Sequence, residues 1–146
     1  MNLVKHTDSI LSTKCSPVKK LSKSHKEIIK SMFSVMYAEN GIGLAAPQVG
    51  IPLQIIVVDT GNDPFTLINP KIVKKSSRTS VNIEGCLSFP GKLFEVERST
   101  SIVVRAKSEN WKDLSFVATG INAICIQHEY DHLMGITFDK IGKLVL

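Results

Sequence analysis

The stretch INAICIQHEYDHLMG, residues 121–135, decides how the rest of the chain is read. Ile121, Ile124, Cys125, His128 and His132 recur at steps that fall on one face of an α-helix. Gly135 fits a C-terminal stop, so the spacing predicts a helix from about Ile121 to Met134. The histidines continue an apolar stripe. Two imidazoles four residues apart can converge on one metal ion. Glu129, one step round, can act on a water there without being a ligand. A lone histidine on an apolar face is ordinarily a satisfied core residue. Burying two imidazoles and a carboxylate is expensive unless something satisfies them, and a metal does so.

His-Glu-x-x-His occurs in many metallopeptidases. A catalytic site of that kind has three protein ligands and one open position, so its identity turns on the third ligand. Downstream of the helix only Asp139 is available. Upstream, EGCLS (84–88) sets Cys86 in a glycine-containing loop between strands. A thiolate is a strong ligand for a divalent transition metal. A cysteine taken alone is more often a small buried hydrophobe. The helix by itself leaves Asp139 and Cys86 both open.

Working outward, SHKEIIKSMFSVMYAENG (24–41) carries Ile28, Ile29, Met32, Phe33 and Met36 at helical spacing. Ser24 with Glu27 suggests its capping box, and Asn40-Gly41 its stop. GIGLAAPQVG (41–50) cannot be regular helix because of Pro47. LQIIVVD (53–59) predicts a buried strand. FTLINPKIV (65–73) predicts an extended segment broken at Pro70. TSVNIEGCLSFPG (79–91) passes from a short strand into a loop. SIVVRAKS (101–108) and LSFVAT (114–119) predict two strands joined by a turn at Glu109-Asn110. Helices near both ends and strands between them make an α+β fold. Its antiparallel or mixed β-sheets pack around a C-terminal metal-binding helix in one catalytic domain, residues 1–146.

The 146 residues are 43% hydrophobic and 21% charged, ordinary for a globular domain. No apolar run has the length of a membrane span. MNLVKHTDSILSTKCSPVKK has no signal-peptide core, which predicts a cytoplasmic protein. The net charge of +5 owes much to Lys14, Lys19, Lys20, Lys23, Lys26 and Lys30, with a second group at Lys74, Lys75 and Arg78. A solvated surface accounts for these lysines, and attraction to a polyanion is the other account. No aromatic set accompanies them for base stacking, so no direct nucleic-acid readout is expected. Three cysteines, Cys15, Cys86 and Cys125, argue against a disulfide framework and for free thiols or a metal thiolate.

GIGLAAPQVG, EGCLS and QHEYDH (127–132), in this order, resemble the three signature motifs of the peptide deformylase family. ILSTKCSPV (10–18) resembles the family's opening segment, and the likeness extends to about Asp139. The resemblance implies hydrolysis of the N-formyl group from formylmethionine at the start of new polypeptides, releasing formate. It makes Cys86, His128 and His132 the ligands of one divalent metal, Fe(II) natively, with zinc, nickel or cobalt as substitutes. It makes Glu129 the catalytic glutamate, and gives Gln48 and the Leu87 N–H the task of polarising the formyl oxygen. Ile42 and Gly43 would meet an extended peptide, with Glu84 and Gly85 along its path. Ile121, Ile124 and Cys125, on the histidine face, would wall the methionine slot. Arg98 resembles a supporting arginine, with Glu39 or Asp131 as partner.

The implied partners are formylmethionyl nascent peptides, with the ribosome a weaker expectation, and the implied state is a monomer. Three features depart from the family pattern. Gly91, Lys92 and Leu93 stand where relatives often carry a substrate-holding arginine. Glu97 stands where proline is common. The C-terminal helical extension of many relatives is lacking, which suggests a minimal form, phage-encoded or organelle-type; a phage enzyme would work in its host's cytoplasm. Two alternatives stay distinct from this activity: a peptidase of the His-Glu-x-x-His type ligated by Asp139, and a non-catalytic metal-stabilised binding module.

Overall fold

The β-branched run Ile55–Val58 is buried on both faces, and its period-two alternation divides the core. Ile55 and Val57 point to one apolar cluster, with Met32, Met36, Leu44 and Ile68. Ile56 and Val58 point to the other, with Ile102, Val104, Ala123, Ile126 and Leu133. The molecule is therefore a sheet with a helix on each side. A computed structural model describes all residues, 1–146.

The larger sheet contains β1 (Gly43–Ala45), β2 (Ile55–Val58), β3 (Phe65–Lys75), β6 (Ser101–Lys107) and β7 (Asp113–Thr119), in that order. The smaller one contains β4 (Thr79–Gly85), β5 (Leu93–Ser99) and β8 (Lys143–Leu144). Every strand pairing is antiparallel, and one isolated parallel bridge joins Ser16 to Leu53. Helix α1 (Lys23–Ala38) packs on one face of the larger sheet. Helix α2 (Gly120–Leu133) packs on the other.

Several expectations change in detail. α1 is capped by Ser22 and His25 rather than by Ser24 and Glu27: the His25 N–H meets Ser22 Oγ, and the Ser22 N–H donates to His25 Nδ1 at 3.1 Å. Its stop is as expected, with Asn40 at φ +57° and the Gly41 N–H reaching back to the Met36 carbonyl at 2.9 Å. β3 runs through Pro70 instead of breaking there. The register slips between Ile68 and Lys71, which lets the strand carry a residue that has no N–H. β5, in KLFEVERS, has no counterpart in the sequence reading. Its outward Glu95 and Glu97 hide a strand whose Phe94, Val96 and Arg98 point inward. α2 is buried around much more than one face, with Ala123, Ile126, Gln127 and Leu133 packed opposite the metal side.

Candidate active site

The first turn after β4 and the middle of α2 come together at one point. Sγ of Cys86 and one ring nitrogen each of His128 and His132 lie within 4.8 Å of one another, with Cys86 Sγ 3.4 Å from His132 Nε2. Asp139 takes no part. It lies exposed on the short 3₁₀ turn Phe138–Lys140 and accepts from the Thr137 hydroxyl. The Phe138 ring beside it stands edge-on to His128, 5.3 Å between centroids.

The surroundings fit a divalent cation. His132 Nδ1 and Glu129 Oε1 are buried without a partner. Three carboxylates, Glu84, Glu129 and Asp131, gather around one guanidinium, Arg98. Burial works against a charged imidazole at His128, but Glu129, Cys86 and Glu84 outweigh it and carry its pKa up to about 10. Burial drives His132 the other way, well below its ordinary value, and the charges of His128 and Arg98 add to this. A thiol and two imidazoles form a donor set for a borderline-soft metal.

Behind the ligands, His128 Nδ1 is 2.8 Å from Glu84 Oε1. Arg98 holds that carboxylate with two hydrogen bonds, 2.9 Å to Oε2 and 3.0 Å to Oε1, and donates to Asp131 Oδ2 at 2.6 Å. Asp131, not Glu39, is thus the partner on the helix. The Glu84 side chain lines the cleft, but both its oxygens are engaged and it is buried. Its carboxylate is spent on His128 and Arg98. Burial pushes the Glu84 carboxyl up, and the bonds from His128 and Arg98 more than reverse this, holding it below its ordinary value. Gln127, which the sequence reading passed over, clamps α2 to the end of β5, accepting from the Ser99 N–H at 3.2 Å and donating to the Ser99 carbonyl at 2.9 Å.

Gln48 sits on the 3₁₀ turn Ala46–Val49, fully buried. Its Oε1 accepts the Ala45 N–H at 2.9 Å, which fixes the amide so that Nε2 faces Ser88 Oγ at 3.3 Å and Cys86 Sγ at 3.5 Å. The Leu87 N–H, next to the ligand, donates to no group of the chain. The Gln48 amide therefore lies beside the convergence point, and the backbone N–H following Cys86 is uncommitted. Burial raises the Glu129 carboxyl to about 7, with the nearby charges working in both directions. Gly43 lies against it: a Cβ there would be 2.5 Å from Cys125 Sγ and 2.7 Å from Glu129 Oε2.

These groups open into a cleft of about 1080 Å³. Ile42, Gly43, Gly85, Ile121, Ile124 and Cys125 all line it. Ile42 and Ile121 are half exposed at its mouth, so Ile121 leaves the buried stripe that the helical spacing suggested. Ile124 and Cys125 lie deeper. The cysteine sulfur stands 3.7 Å from the Ile42 carbonyl, and burial pushes its thiol pKa well up.

The polypeptide deformylase family model matches residues 1–145. Peptide deformylase 1 of Bacillus anthracis is 45% identical over 140 residues, covering 94% of this chain and 89% of that protein. The crystal structure of a peptide deformylase from Thermotoga maritima superposes with a TM-score of 0.94 at 38% identity, covering 96% of this chain and 95% of that one. A probable peptide deformylase from Synechococcus phage S-SSM7 gives 0.92 at 38% identity, covering 96% and 98%. Together with the cluster of Cys86, His128 and His132 beside Glu129 and Gln48, these likenesses show that the chain belongs to the peptide deformylase family.

Proposed function

We propose that this chain hydrolyses the N-formyl amide of formylmethionyl peptides, giving formate and a free α-amine. The observation that carries this reading is the third donor: Cys86 joins His128 and His132, and Asp139 does not. That favours a deformylase over a peptidase of the His-Glu-x-x-His type. The open cleft on the donors argues against a closed structural metal site.

The residues divide the work. Ile42 and Gly43 align an extended peptide, and Ile121, Ile124 and Cys125 receive the methionine side chain. Gln48 Nε2 and the Leu87 N–H donate to the formyl oxygen as negative charge develops on it. Glu129 takes a proton from the attacking water and delivers it to the departing nitrogen as the C–N bond breaks. A divalent ion held by Cys86, His128 and His132 supplies Lewis acidity and lowers the pKa of water there. Iron(II) is the proposed native ion, its thiolate–imidazole set making the enzyme sensitive to air through the metal or Cys86.

The deciding assay compares formyl-Met-Ala-Ser with its unformylated twin. Formate release from the first and peptide-bond cleavage in neither is the expected result. Peptide cleavage, or metal lost from Asp139→Ala but retained by Cys86→Ala, would overturn the reading. A nickel-loaded sample that outlasts the iron form in air would support iron as the labile species, and equal lifetimes would count against it.

A further inference from the structure

α1 covers only part of its face of the larger sheet. It packs over β1, β2 and the beginning of β3 through Ile55, Val57 and Ile68. Beyond Ile68 the outward positions of β3, β6 and β7 face solvent. The pairing register puts them in rows: Ile68–Lys107–Asp113, then Lys71–Arg105–Ser115, then Lys74–Val103–Val117.

Lys71 and Arg105 are direct cross-strand neighbours, both exposed. Like charges in that position repel and destabilise a sheet. Nothing in the chain relieves them, since Lys71, Lys74 and Arg105 form no ion pair. These rows contain four cations (Lys71, Lys74, Arg105 and Lys107) and one carboxylate, Asp113. That carboxylate is taken by Lys107 at 2.7 Å. Two more exposed lysines lie near β3. The Val18 N–H and carbonyl both bond the Asn69 side chain at 2.8 Å, which brings Lys19 and Lys20 beside β3.

We propose that this basic sheet face binds the phosphate backbone of RNA. A polyanion with closely spaced charges relieves the Lys71–Arg105 repulsion, and the hydroxyls of Ser115 and Thr119 are suitable phosphate donors. The apolar groups on the face, Val73, Val103 and Val117, are too short to enter a bilayer, and no bulky aromatic is offered to one. Trp111 lies under Lys107, 5.4 Å from its Nζ, and packs on the core. With no free aromatic to stack on bases, binding depends on salt rather than sequence. The cleft opens from the α2 side of the sheet, so the face stays accessible while a peptide is held.

The metal-loaded full chain is titrated into a fluorescent RNA hairpin of about 20 nucleotides, by anisotropy, between roughly 50 and 200 mM salt. Affinity should fall steeply with salt. Lys71→Glu places a carboxylate opposite Arg105, removing one cation and occupying another. It should bind at least about tenfold more weakly, with a log–log salt slope shallower by about 1–2. Its melting temperature should rise or hold, and turnover of formyl-Met-Ala-Ser should not change. The Lys71→Ser/Arg105→Ser pair should repeat the loss of binding. RNA affinity and slope unchanged in both variants would overturn the proposal. So would absence of RNA binding at the lowest salt, or binding to phosphatidylserine vesicles in place of RNA.

Discussion

His128 Nδ1 and Glu84 Oε1 stand 2.8 Å apart in a buried contact, leaving the other ring nitrogen to face Cys86 and His132. The carboxylate thus sets both the tautomer and the orientation of a ligand. Because Arg98 holds Glu84 and Asp131 together, β4, β5 and α2 share one charge network. Glu84→Gln keeps the size and removes the charge. Its metal affinity should fall by about 10–100-fold in a chelator competition.

Glu84 also predicts an acid limit. Its folded pKa is depressed below the ordinary 4.5. Its contribution to stability is therefore complete above 4.5 and lost as pH falls through the depressed value. Acid-unfolding curves of the parent should steepen below about 4.5, and those of Glu84→Gln should lose part of that steepness. Superimposable curves would show that the carboxylate carries no linkage.

Gly43→Ala tests how tightly the cleft floor is built. The added methyl would overlap both Cys125 Sγ and Glu129 Oε2. Overpacking of this kind costs about 1–3 kcal/mol, read as a lower melting temperature. Turnover should drop more than stability alone explains, because the displaced atom belongs to the proposed proton carrier. Cys125→Ala in the same chain should restore part of both.

Gln48→Ala should reduce kcat by about 10²–10³ with metal content unchanged. The N-terminal segment supports the same machinery from behind. The Val4 N–H donates to the Gln48 carbonyl at 2.8 Å and the His6 N–H to the Ser88 carbonyl at 2.9 Å, while the His6 ring stacks on Phe89 at 4.5 Å. Deleting residues 1–7 should therefore lower kcat more than metal affinity. A loss confined to metal content would contradict this.

Much of the site was legible because it is written in local spacing. His128, Glu129 and His132 need only a helix to come together, whereas Cys86 stands out only through the resemblance of EGCLS to a family motif. What stayed hidden depends on long-range pairing. Glu84 reads as one more polar residue beside the ligand until Arg98, 14 positions away, closes on it. Gln127 looks like a solvent-facing residue of the motif until β5 exists for it to bond. β5 itself is disguised by Glu95 and Glu97, and β3 by Pro70, because a two-residue period survives both charge and a bulge. The helix cap moved by two residues because Ser22 and Ser24 offer the same hydroxyl, and only the backbone path decides between them.

Metal removal should show in stability as well as in activity. An ion present at about a thousand times its dissociation constant adds roughly 4 kcal/mol, on the order of 10 °C in a domain of this size. Chelation should lower the melting temperature by that order, and Cys86→Ala should abolish the difference between the two forms.

Cys86 directly follows β4 of the smaller sheet and His132 lies on the helix packed against the larger one, 46 positions apart in the chain. An ion bound to both is a cross-link. It closes a loop as a disulfide would, and closures of comparable length are worth about 3–5 kcal/mol in chain entropy. Unlike a disulfide, this one opens to a chelator or to oxidation of a single sulfur. The group that makes the chemistry possible would then also fasten the two sheets to each other.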